Sequence, residues 1–273
     1  MNNIDGIFLW LAIAGYSVSF LVSLAGLIFK RDKWVDFGFY IFIVSFGFHT
    51  ISFISRWLIT WHPPVYGQYE NSLTASWFIS VSVFAIKRWS SKIGAVAAIL
   101  TPIILFVMGN GVMAKPSVGP LPPPFQSNWL WVHVTFAWFG FGSVMIAGGI
   151  AIIYILKDAA KQRANVMSGW FPSLEVLDDL IFRFIFFGFI TLTVEIGAGA
   201  IWANGLWGRY WGWDPMETWS LIMWLIYGIN MHLRVTLGWK GRKAAWLALL
   251  SIISVFIAFF GIGFFGSIHT HTL

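Results

Sequence analysis

The stretch LWVHVTFAWFGFGSVMIAGGIAIIYILK, residues 130–157, decides what kind of molecule this is. From Leu130 to Leu156 it holds no Asp, Glu, Lys or Arg, and it stops at Lys157. A helix that crosses a bilayer needs about 20 mostly apolar residues, so this run can span one by itself. Its glycines, like those of GAGA at 197–200, have the small-residue spacing that lets membrane helices approach closely. The rest of the chain has the same character. It is 58% hydrophobic and 10% charged, with a mean hydropathy of +0.77, whereas soluble domains carry about 25% charged residues. A water-soluble globule is excluded.

Working outward, eight apolar runs read as membrane helices: 5–29, 36–59, 72–87, 93–109, 130–156, 179–202, 218–235 and 244–266, the third and fourth being short. The fold class is therefore an all-α polytopic membrane protein with about eight transmembrane helices, forming a single membrane domain over 1–273. Of the 17 Lys and Arg, 14 lie in the connections after the odd-numbered spans; only Arg56, Lys115 and Arg209 fall on the other side. By the positive-inside rule both termini are outside, and so is the segment 202–219. The net charge of +6 is thus a topology signal and does not point to nucleic acid.

The first apolar run follows Asp5, with no small-residue cleavage site after it, so no cleaved signal peptide is expected. The inner connection 157–178 is too short for a domain. The outer segment 110–131 holds Pro122, Pro123 and Pro124 and is expected to be irregular and non-helical. There is no cysteine, hence no disulfide, thiolate or Cys-x-x-Cys chemistry.

In so apolar a chain the polar exceptions carry the information. His49 falls within the second span and His232 in the inner half of the seventh. His133 opens the fifth span on the outer side, and His269 and His271 follow the eighth. Histidine inside a membrane is a functional candidate, against the alternative that each ring bonds a neighbouring hydroxyl or carbonyl as helix glue. Two levels of paired imidazoles, without Cys and with few carboxylates, fit zinc or iron–sulfur poorly. They fit haem better, which needs axial nitrogens and flat apolar walls.

Such a wall is available at WGRYWGWDPMETW, residues 207–219. Asp214, Pro215 and Glu217 read as a helix start, with Asp at the N-cap, Pro at the first position and Glu reaching back as in a capping box. Trp77, Trp129, Trp131 and Trp170 can be interfacial belt residues. A belt does not explain Trp202, Trp207, Trp211, Trp213 and Trp219 in one outer connection with Tyr210; an aromatic platform for a flat ligand does.

The segment WANGLWGRYWGWDPMETWSL (202–221) closely resembles the tryptophan-rich WWD signature of the haem-handling proteins of cytochrome c biogenesis. IYGINMHLRVTLGWKGRKAAWLALLS (226–251), FFGSIHTH (264–271), FHTISFISRW (48–57), HPPVYGQYENSL (62–73) and SNWLWVHVTFAWFGFGS (127–143) are similar to the CcsA (ResC) branch of that family. Eight spans suit this branch better than its six-span CcmC or much longer CcmF relatives. The resemblance implies haem transport and presentation to apocytochrome c, with haem b as cargo. It implies that His49 and His232 hold haem iron in transit, and that His133 and His269 are the outer axial ligands. His269 is preferred over its neighbour His271 because it matches the family's Gly-Leu-His ending, and His62 is read as structural. Trp202, Trp207, Trp211, Trp213, Trp219, Asp214 and Arg209 would line or support the shelf.

The implied complex is the haem-handling side of a holocytochrome c synthase, acting with a CcsB (ResB)-type membrane partner. Apocytochrome c would bring Cys-x-x-Cys-His, and a thioredoxin-like protein would keep its thiols reduced. The implied location is the bacterial cytoplasmic membrane, or the thylakoid membrane for a plastid-encoded chain. Two positions depart from the family pattern. Met216 stands where Lys usually follows Asp-Pro, so Arg209 is the remaining local cation. Glu195 is a carboxylate in the sixth span, and the sequence names no partner for it. Two rival readings stay open: a bis-histidine b-type cytochrome serving quinone, and a solute transporter coupled through Glu195. Neither accounts for the outer tryptophans.

Overall fold

The computed structural model describes residues 4–86, 93–116, 119, 121–162 and 171–258. Among them are eight α-helices: α1 (Ile4–Ile28), α2 (Asp32–Thr60), α3 (Gly67–Ile86), α4 (Ile93–Val112), α5 (Asn128–Gln162), α6 (Leu174–Trp207), α7 (Pro215–Val235) and α8 (Arg242–Phe256). Among the described residues there is no strand. Five stretches are long and apolar enough to cross a membrane: α1, α2, Gly94–Val112, Asn128–Lys161 and α6. The chain is a polytopic helical membrane protein. Helices α3 and α7 miss that measure because each carries charged or polar residues along its length, such as Glu70, Ser72, Thr74 and Ser76 on α3 and Glu217, Asn230, His232 and Arg234 on α7.

One expectation needs correcting. The proline run at 122–124 is not wholly irregular, because Pro123–Phe125 forms a single 3-10 turn. Proline lacks only the N–H, which the first positions of a helical turn leave unpaired in any case.

Helices α1–α4 make one compact unit and α5–α8 another. In the first, α1 and α2 pack along their lengths through small residues. A side chain at Gly38 would run into Ser23, and one at Gly26 into Val35; Ser19 Oγ donates to Gly38 O at 2.8 Å. Near one end of this unit lies a buried ionic cluster. Arg56, 2% exposed, donates through Nε to Glu70 Oε1 at 2.8 Å and lies 3.6 Å from Asp5 Oδ2. Tyr66 N donates to Glu70 Oε2, Tyr69 Oη donates to Asp5 Oδ2, and Ser52 Oγ donates to Asp5 O. His62, also buried, has Nδ1 2.8 Å from Pro63 O and 3.9 Å from Glu70 Oε2, in keeping with a structural role.

In the second unit α5 and α6 form the long central pair. Gly140 lets α5 close on Thr191 and Leu192 of α6, and Gly148 faces Ile252 of α8. Helix α6 starts on Ser173, whose hydroxyl accepts from Val176 N, and ends on Gly208 in the left-handed region at φ +67°. Asp178 fastens the opposite end of this unit. It takes a two-pronged pair from Arg234, at 2.9 and 2.7 Å, and the N–H of Gly241 at 2.6 Å.

Candidate functional site

Three side-chain positions of α6, Glu195, Gly199 and Trp202, are spaced four and three apart and so share one face. That face meets α5 one turn and a half from its start, at His133. Gly199 makes the meeting possible, since a Cβ there would stand 2.7 Å from His133 Nδ1. The imidazole stacks on Trp202, with ring centres 6.1 Å apart and planes tilted by 26°. Trp202 is itself held by Nε1 donating to Pro124 O at 2.9 Å, from the proline turn.

The protonation of the ring follows from its partners. His133 Nδ1 is 3.0 Å from the main-chain oxygen of Glu195, and a carbonyl can only accept. Nδ1 therefore carries a hydrogen, which in a neutral imidazole places the lone pair on Nε2. No described residue engages Nε2. The Glu195 carboxylate stands on the Nδ1 side, with Oε1 at 3.5 Å. His133 is thus the neighbour that the sequence could not name for Glu195.

After Gly208 the chain turns back over this face. Glu217 shapes the loop, taking the N–H of Gly212 at 2.7 Å and of Asp214 at 3.2 Å on Oε2. Asp214 Oδ1 takes Met216 N at 2.9 Å, completing the expected capping box with Pro215 in the first turn of α7. Gly212 leaves room for the Arg209 guanidinium, which a Cβ there would strike. Trp213 has φ +58°, a left-handed conformation that a bulky residue adopts only under constraint, and it stays 69% exposed. Its ring meets Trp211 edge-on at 5.8 Å, and Trp207 meets Trp202 at 5.9 Å.

Between loop and helices lies a small cleft, partly open to solvent, lined by His133, Glu195, Trp202, Tyr210, Trp211 and Met216, with Glu217 and Ser220 also in its lining. Two buried polar atoms of residues in this lining have no partner among the described residues, Glu195 Oε2 and Trp211 Nε1. Burying a polar atom unsatisfied costs roughly 1–3 kcal/mol, so both are costly features of the helix packing around the cleft.

The structure thus brings His133, Trp202 and Trp211 together, with Trp207 and Trp213 braced against them. Asp214 is the N-cap of α7, and half-buried Trp219 lies on α7 outside the cleft lining. Arg209 is exposed and folded over Gly212, not directed into the cleft. His269 and His271 lie outside the described residues.

His49 and His232 belong to different units. His49 is fully buried in the first, with Nε2 3.1 Å from Leu73 O and 3.4 Å from Ser76 Oγ, and Nδ1 3.4 Å from Tyr16 Oη. Both nitrogens of His49 are therefore engaged. His232 sits exposed in the last turn of α7, with Nδ1 3.3 Å from Thr236 Oγ1.

The chain has clear relatives. A family model described as cytochrome C assembly protein matches residues 65–269. A protein named cytochrome c biogenesis protein CcsA from Guillardia theta is 33% identical, over 97% of this chain and 93% of its own length. Proteins of the same name from Synechococcus sp. (strain CC9902) and Pyropia yezoensis are 32% and 30% identical, each over 80% of this chain and over 80% and 81% of their own lengths. Among solved structures, the cytochrome c haem lyase CcmF superposes with a TM-score of 0.69 at 17% identity. It covers 95% of this chain, and this chain spans 47% of that one; at this identity the likeness concerns the fold.

Proposed function

The chain belongs to the cytochrome c assembly protein family and has a role in cytochrome c biogenesis; from that premise we propose that it holds haem b in the cleft beside His133 and presents it to apocytochrome c. The observation that carries this reading is His133 itself, which lines one cleft with Trp202 and Trp211 and whose Nε2 has no partner among the described residues. An imidazole lone pair beside flat apolar walls is what haem iron and its macrocycle need. His269 supplies the second axial nitrogen. The loop that carries the tryptophans stacks on the porphyrin and keeps water from the iron.

The same proposal sets the cleft on the outer face, with both termini outside and eight spans crossing, as the distribution of Lys and Arg favours. The membrane is a bacterial cytoplasmic membrane or a thylakoid. His49 and His232 hold the cargo in transit, and for this His49 exchanges one of its internal partners for iron. Lacking cysteine, the chain leaves thiol chemistry to the Cys-x-x-Cys-His of the apocytochrome. A thioredoxin-like protein keeps those thiols reduced, and a CcsB (ResB)-type subunit completes the complex. The quinone-cytochrome alternative is not favoured.

The test is maturation of a c-type cytochrome in cells that carry His133→Ala together with His269→Ala. Covalent haem on the cytochrome should disappear while the membrane level of the protein holds. Normal maturation would refute the assignment.

A further inference from the structure

Glu195 has no task in the function proposed above, yet it occupies a costly place. It is 5% exposed in a helix apolar enough to cross a membrane, where a carboxyl group is tolerated only with a partner or a purpose. Among the described residues its carboxylate reaches one polar group, Nδ1 of His133 at 3.5 Å, and Oε2 has no partner. Among the described residues no lysine or arginine lines the cleft, where Met216 is apolar and Arg209 lies over Gly212. Were Glu195 present for packing alone, an apolar residue would serve at lower cost.

What its position does offer is a carboxylate oxygen close to the nitrogen opposite to the open one. The main-chain carbonyl of the same residue already holds Nδ1–H at 3.0 Å. A carboxylate on that edge polarises the N–H bond further and makes Nε2 a stronger donor. Groups placed behind metal-bound imidazoles orient the ring and raise its basicity in this way, and hydrogen bonding behind the axial ligand is one of the levers a protein has on a haem.

We infer that Glu195 is a positioning residue for His133, holding the ring with Nε2 toward the cleft and strengthening its donation to haem iron, so that ferric haem is favoured over ferrous. This rests on the reading of His133 as an iron ligand, and the experiment separates the two.

The full chain is purified with its partner and native haem. Redox titration followed by visible absorption is then run on the parent, His133→Ala, Glu195→Gln and Glu195→Asp. The component that His133→Ala removes is the one of interest. In Glu195→Gln, which keeps shape and an acceptor oxygen, this component should persist with its preference for ferric haem cut about tenfold, a rise of about 59 mV in midpoint for one electron. Glu195→Asp should fall between Gln and parent, since it keeps the acid. If Glu195→Gln and Glu195→Asp both titrate as the parent does while His133→Ala removes the component, Glu195 has no positioning role. If His133→Ala changes neither spectrum nor midpoint, the reading of the cleft fails and this inference with it.

Discussion

Two of the polar clusters set among the apolar helices follow opposite plans. In the α1–α4 unit, Arg56, Glu70 and Asp5 are joined by charge and hydrogen bonds. Both oxygens of Glu70 and Oδ2 of Asp5 have partners. In the α5–α8 unit, His133 Nε2, Glu195 Oε2 and Trp211 Nε1 have no partner among the described residues, and the three residues line one cleft. The histidines repeat the contrast, because His49 has both nitrogens engaged and His133 only one. A saturated cluster holds helices together and must give up a partner before it can bind anything else. An unsaturated one, facing a cleft, keeps binding capacity in reserve, and this difference in satisfaction separates framework from site more sharply than residue type does.

The comparison can be broken most readily at Arg56. Arg56→Met leaves Asp5 and Glu70 buried without their cation, which costs about 3–5 kcal/mol. Thermal unfolding in detergent should show a large drop, while any protein that remains folded keeps its haem spectrum. An unchanged melting temperature would mean that the cluster is not framework.

Asp214→Ala comes next. It removes the N-cap of α7 and is expected to cost about 1 kcal/mol, read in the same melt. Because the cap also fixes the loop over the cleft, haem retention should fall with it. Glu217→Gln should change stability by only a few tenths of a kcal/mol, since glutamine also serves in a capping box.

The smallest effect in stability is expected at Trp213. Left-handed backbone costs a bulky residue roughly 1–2 kcal/mol, and glycine relieves that strain while adding about 0.5–1 kcal/mol of chain entropy. Trp213→Gly should therefore melt at or slightly above the parent and yet hold haem less well. A variant equal to the parent in both respects would remove Trp213 from the shelf.

How much of this is legible in the sequence depends on how local each feature is. The helices announce themselves as long runs such as 130–156. Their ends do not: α6 starts at Leu174 and carries Asp178, Asp179 and Arg183 in its first turns, where loss of apolarity looks like loss of helix. The capping box is legible because Asp214 and Glu217 lie three residues apart and nothing distant is needed to form it. His133 and Glu195 stand out singly, as polar residues in apolar runs, but their pairing joins two helices far apart in the chain. The one local trace of it is Gly199, whose missing side chain makes room for the imidazole. Arg56 was countable as a charge on one side of the membrane, whereas its burial between Asp5 and Glu70 is a product of packing. For the same reason no pattern could tell that His49 is saturated and His133 is not.

The measurement that bears most directly on the central claim is the visible spectrum of the purified chain with its partner, compared between the parent and His133→Ala. The account predicts that the variant loses a low-spin haem component while its thermal unfolding stays within about 1 kcal/mol of the parent. An undiminished haem spectrum in His133→Ala would contradict it.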